Sequence, residues 1–212
     1  NNNTVNTNEA KILTYVQSTD KHWVEGSQTV DGKTYIANDV VHGQVSMTLP
    51  DPKTLATPLK NITVVDDYRN FMNKVDYQSA QVLENGEDVT SQYTITNANG
   101  QVTATRKNAS AAPAGKVQLN VNWRIHNNVA SGTTLVNAGS GRINDHTVPT
   151  PNRNIVTFKQ DGLKDWLNSQ NQVVNGKTYI DNDMVHAKLA MTLPDSKALA
   201  TPLTKVQLDD NY

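Results

Sequence analysis

Apolar and polar residues alternate along most of this chain with a period of two, the signature of strands that bury one face. In Gln44–Thr48 the alternation sets Val45 and Met47 on one side. In Asn61–Tyr68 it sets Ile62, Val64, Asp66 and Tyr68 on one face and Thr63, Val65 and Asp67 on the other. Val117–Ile125 keeps Val117, Leu119, Val121, Trp123 and Ile125 in step. Tyr93–Thr96 and Gln101–Arg106 flank Asn97-Ala98-Asn99-Gly100, and an Asn-Gly pair between alternating runs predicts a tight hairpin. Asn154–Gln160 predicts a last strand, with Asn154 in step with Val156 and Phe158. Turn-formers at Asp31-Gly32, Pro50-Asp51-Pro52, Asn85-Gly86, Pro113-Ala114-Gly115 and Pro149-Thr150-Pro151 divide these runs. A short helical turn is expected at Pro52–Ala56 or Arg69–Asn73. The pattern predicts an all-β fold: an immunoglobulin-like β-sandwich of seven or more strands.

The chain also repeats itself. Thr29–Tyr68 recurs as Val173–Tyr212, with 23 of 40 positions identical. A period of 143 to 144 residues is one whole domain, not a solenoid unit. Ile12–Gln17 matches Ile155–Gln160, and Lys21-His22-Trp23 matches Lys164-Asp165-Trp166. The expected organisation follows: residues 1–20 are a linker and the closing strand of a preceding unit, residues 21–160 a complete unit, and residues 161–212 the first third of the next. Tandem whole domains favour stalks and multivalent binders over enzymes.

Composition narrows the partners. Lys plus Arg number 19 against 20 for Asp plus Glu, a net charge of −1 with no basic run, so neither nucleic acid nor direct membrane insertion is expected. Cysteine is absent, which removes disulfides and thiolate metal sites. Few charges and abundant Asn, Thr, Gln and Val suit an all-β extracellular protein.

The repeat singles out one constellation. Between the two copies of the strand at Ile62–Tyr68, one face drifts and the other holds: Ile62, Val64, Asp66 and Tyr68 become Val206, Leu208, Asp210 and Tyr212. Asp66 thus shares an apolar face in both copies, where a carboxylate must be protonated, paired or hydrogen-bonded. Lys21 recurs as Lys164 just before a tryptophan. With Asn154 on the last strand, a lysine, an aspartate and an asparagine meet in one sandwich. Taken singly, each reads as ordinary: a solvated lysine, a satisfied buried acid, an asparagine serving backbone groups. Taken together they are the reactants of an intramolecular isopeptide bond. Burial makes the amine neutral and nucleophilic and keeps the acid protonated, so that it can polarise the carboxamide and relay protons to departing ammonia. Closing a loop of about 130 residues this way would add about 5 kcal/mol, by analogy with disulfides.

The ordered set Lys21, Val30-Asp31-Gly32-Lys33-Thr34, Val64-Val65-Asp66-Asp67-Tyr68 and Asn154-Ile155-Val156 resembles the C-terminal isopeptide-forming domains of the streptococcal antigen I/II adhesins and related surface proteins. Glu87–Ile95 is similar to that family's middle segment. The resemblance implies a two-sheet immunoglobulin-like variant, a Lys–Asn crosslink promoted by an Asp, and a place in a cell-wall-anchored, secreted Gram-positive adhesin. It assigns Lys21 as amine, Asn154 as amide and Asp66 as acid, with Asn152 and Asp67 as alternates and Lys164 and Asp210 as equivalents in the next unit. One position departs: Lys11 stands where a preceding unit would match Asn154.

Other sites weigh less. His42 and His186 recur in Asn-Asp-X-Val-His but lack a second histidine at ligand spacing, so both read as strand residues. Asp66-Asp67 or Asp181-Asn182-Asp183 offer oxygens to Ca²⁺ without an EF-hand pattern; no cofactor is expected. Trp23, Trp123 and Trp166 offer a glycan-stacking surface, though Trp123 reads as core. No nucleophile–base order or phosphate loop stands out. The sequence therefore points to a self-crosslinked structural repeat. The alternative is an adhesin repeat that binds host glycoprotein, matrix or carbohydrate; a multiturnover enzyme ranks last.

Overall fold

A computed structural model describes residues 10–211. Residues 1–9 of the expected linker, and Tyr212, lie outside the described residues. In chain order the strands are β1 (Thr19–Glu25), β2 (Gln28–Thr29), β3 (Thr34–Ile36), β4 (Val40–Leu49), β5 (Ile62–Asp67), β6 (Val75–Glu84), β7 (Glu87–Asp88), β8 (Tyr93–Ala98), β9 (Gln101–Arg106), β10 (Gly115–Ile125), β11 (Thr134–Ile143), β12 (His146–Pro149), β13 (Arg153–Phe158), β14 (Gly162–Leu167) and β15 (His186–Met191). The helical content among the described residues is three single 3-10 turns, one of them at Pro52–Thr54 as expected. Asp51 caps it through its side chain. Arg69–Asn73 is an irregular turn.

The fold is an all-β, immunoglobulin-like sandwich. One sheet runs β2-β1-β4-β10-β6-β7, and the facing sheet runs β3-β13-β11-β5-β9-β8, with β12 added to β11. The period-two alternation decides which side of each strand is dry. From the first sheet Val41, Val45, Met47, Leu119, Val121 and Trp123 point inward; from the second, Ile62, Val64, Val102, Leu135 and Ile155 meet them. The hairpin at Asn99-Gly100 forms as expected. Both residues take positive φ (52° and 73°), as the tight turn between β8 and β9 demands.

Pairing is antiparallel throughout the sandwich except where β13 meets β3 in parallel. The second copy begins with a β14–β15 ribbon that repeats an earlier register: Lys164 faces Leu189 as Lys21 faces Val45. Its segment Val206–Asn211, the counterpart of β5, forms no strand.

Candidate functional site

Lys21 and Asp66 meet in the middle of the sandwich. β1 buries Lys21 and Trp23 on its inward face, and β5 buries Ile62, Val64 and Asp66 on its own. The lysine therefore spans the core from one sheet to the other. Its Nζ donates to Asp66 Oδ2 at 2.5 Å, and neither side chain has exposed surface.

Room for the amine comes from Gly43. A Cβ there would sit 2.7 Å from Lys21 Nζ and 2.7 Å from Trp123 Cζ3. Trp23 and Trp123 each place a ring centroid 5.7 Å from Nζ. Phe71 and Tyr68 complete an aromatic cluster with centroids 5.6–5.8 Å apart. Such walls exclude water and lower the local dielectric. Burial accordingly drives the Lys21 amine below its ordinary pKa, against the opposing pull of Asp66 and, further off, Asp31. Burial drives the Asp66 carboxyl above its ordinary value, against Lys21 and the Asn137 amide. Both shifts favour the neutral pair.

A carboxamide does lie beside this pair, that of Asn137, a residue the sequence reading missed. β11 pairs with β5 so that Gly139 lies opposite Asp66, and Asn137 sits two residues along on the same inward face. The residue is fully buried. Its amide lies near enough to lower the Asp66 pKa as a donor. Yet among the described residues neither Nδ2 nor Oδ1 makes a well-formed hydrogen bond, and Asp66 Oδ1 is also unpartnered. Asn137 thus touches Asp66 without forming a good hydrogen bond. Three orphan polar atoms in one dry pocket are rare in a folded protein and call for an explanation.

Asn154 is not part of this pocket, which corrects the expectation. β13 pairs with β11 so that Ile155 faces Leu135 and Arg153 faces Asn137. Ile155 and Thr157 therefore point inward, and Asn154 shares the half-exposed face of Val156 and Phe158. Asn152, the alternate, is exposed before the strand begins. Arg153 instead reaches β1: its Nε donates to Lys21 O at 3.1 Å, and its guanidinium pairs with Asp31.

Asp67, the alternate acid, points to the other face of β5. Arg69 and Gln101 hold it there. Those bonds, outweighing partial burial, keep its carboxyl below the usual range. Asp66 and Asp67 therefore cannot share a Ca²⁺. In Asp181-Asn182-Asp183, Asp183 is engaged by Ile180 N at 2.9 Å. Among the described residues, no group of three or more His, Asp or Glu is arranged to hold a metal. Lys164 and Asp210 pair in the second copy as well, both partly exposed. His42 bonds Asn122 across the outer face of the first sheet at 2.6 Å. Trp23 and Trp123 are core residues; Trp166 is 40% exposed.

The family model for the cell surface antigen I/II C2 terminal domain matches residues 16–152. No characterised protein matches the chain by sequence. Among solved structures, the C-terminal domain of the Streptococcus pyogenes antigen I/II-family protein AspA is similar at a TM-score of 0.55 and 15% identity, over 68% of this chain and 47% of that one. The C-terminal domain of the Streptococcus agalactiae AgI/II polypeptide BspA is similar at 0.59 and 15%, over 81% and 60%. BcpA, the major pilin subunit of Bacillus cereus, is similar at 0.59 and 13%, over 82% and 55%. The chain thus spans roughly half to three fifths of those solved chains. At such identities the likeness shows the fold.

Proposed function

The chain belongs to the cell surface antigen I/II C2 terminal domain family, and on that premise we propose that it is a stalk repeat of a wall-anchored bacterial adhesin, closed by an isopeptide bond between Lys21 and Asn137. One observation carries the reading: a buried amine paired with a buried acid, beside a buried carboxamide with no good partner of its own.

The residues perform the step as follows. The proton shared by Lys21 and Asp66 rests on Asp66, leaving Nζ with a free lone pair. Nζ attacks Asn137 Cγ, and the C–N bond forms as the carbonyl electrons move to Oδ1. Protonated Asp66 donates to that oxygen, the oxyanion-stabilising role. Asp66 then relays a proton from Nζ to Nδ2, the Cγ–Nδ2 bond breaks, and ammonia leaves. No outside reactant is needed, because every group is held in place by strands of a rigid core.

The product also resolves the pocket's electrostatics. A buried ion pair is costly to desolvate. The new amide is neutral, its N–H can donate to Asp66, and its oxygen can accept from the protonated acid. The two orphaned oxygens then have partners, and the orphaned Nδ2 has left as ammonia.

The test is the intact mass of the folded chain, followed by proteolysis. The expected result is a deficit of one ammonia and a branched peptide joining Lys21 to Asn137. A folded protein of unshifted mass would defeat the proposal, and a branch at Asn154 would refute the choice of amide.

A further inference from the structure

We propose that successive units of the array lock together by strand addition: the loop at 198–200 of each following unit joins the free edge of β3 in the unit before it. This inference is independent of the crosslink, because no residue of the Lys21 pocket takes part.

β3 closes one edge of its sheet, with β13 as its only neighbouring strand among the described residues. Exposed edges invite pairing and are usually covered. Here the cover comes from the second copy. Thr34 N donates to Ala198 O at 2.8 Å, and Ala200 N donates to Thr34 O at 2.9 Å. Together these form a parallel bridge between Thr34 and Leu199. Lys33 Nζ adds a bond to Lys197 O at 3.2 Å. Leu199 is 9% exposed, the one buried side chain in residues 159–211. Ala200 rests against the core of the complete unit.

Both halves of this joint are repeated in the sequence. The donor block Leu199-Ala200-Thr201-Pro202-Leu203 is identical to Leu55-Ala56-Thr57-Pro58-Leu59. The acceptor block Gly32-Lys33-Thr34-Tyr35-Ile36 is identical to Gly176-Lys177-Thr178-Tyr179-Ile180. Each unit therefore carries one donor and one acceptor, the condition for a head-to-tail contact that propagates instead of closing. On the sandwich Leu55 packs partly against its own core and stays half-exposed, Ala56 is exposed, and Thr178–Ile180 forms no strand, with Ile180 80% exposed. The partner for each is a neighbouring copy of this unit. Two attachments, the covalent chain at 159–161 and the latch on β3, hold one unit to the next where one would leave a free hinge.

Amide hydrogen exchange on the whole 212-residue chain tests this. Thr34 N and Ala200 N are both spent in the latch, with no other backbone partner among the described residues, so both should be protected in the parent chain through it. Leu199→Asp should lower that protection roughly thirtyfold, the loss of two hydrogen bonds. The amides of Val45 and Leu119, deep in the sandwich, should not change. Ala200→Pro removes one donor without adding charge and should unprotect Thr34 as well. Free exchange of Thr34 in the parent chain, or protection that survives both substitutions, would overturn the proposal.

Discussion

Asn137→Ala separates the proposed amide from its rival on β13 most cleanly. The bond would close a loop of about 115 residues, worth about 5 kcal/mol against the unfolded chain by the chain-entropy relation for crosslinks. For a domain of about 140 residues, each kcal/mol moves the melting temperature by about 3 °C, so its loss should lower Tm by about 15 °C. The substitution leaves the Lys21–Asp66 pair in place and removes only a small side chain, so packing contributes little beside this. Intact mass and calorimetry on parent, Asn137→Ala and Asn154→Ala give opposite signatures. Asn137→Ala should gain back the ammonia mass expected of its sequence and melt early. Asn154→Ala, altering a half-exposed face, should keep both the deficit and the parent Tm. Reversal of these two results would refute the strand-register argument itself.

Three further outcomes are expected. Asp66→Ala should lose the crosslink and also leave the Lys21 amine buried without its partner, so denaturant unfolding should find it less stable than Asn137→Ala by about 3 kcal/mol. Gly43→Ala should slow or abolish the mass shift, because its new Cβ would lie 2.7 Å from Lys21 Nζ; unimpaired crosslinking would count against the proposed fit. Asp88, held to a pKa of about 2 by Thr90 and Gln81, should contribute stability above the ordinary carboxylate pKa and lose it as pH falls from about 4 toward 2. A carboxyl-carbon NMR titration giving an ordinary midpoint would contradict this.

Two members of the pocket were legible in the sequence, and the third was hidden for a physical reason. Asp66 stood out because alternation put it among Ile62 and Val64, and the second copy kept that face. Lys21 stood out by recurrence before a tryptophan. Asn137 sits on β11, whose inward positions are Leu135, Asn137, Gly139 and Gly141. Only one of these four is a large apolar residue, so the strand never announced itself by hydrophobicity. The glycines are there because the facing sheet crowds in: a Cβ at Gly139 would meet Val45 at 2.8 Å. The useful signal was the step of two from Leu135 to Asn137, continued by residues small enough for a crowded interior. On β13 the error was one of parity. Val156 and Phe158 are large and apolar, yet they line the half-exposed face, and a shift of one residue turns every side chain over. The hairpin at Asn99-Gly100 needed no such context, because its turn is dictated locally.

The lone parallel contact in the sandwich has a mechanical meaning. β13 is the last strand of the sandwich in chain order, and it runs alongside β3 in the same direction. Tension on the departing chain acts along that strand, so the hydrogen bonds between the two must slide together and share the load. An antiparallel hairpin pulled at its open end would surrender them one at a time, as a zipper does. The exit from this domain is thus built to resist in shear.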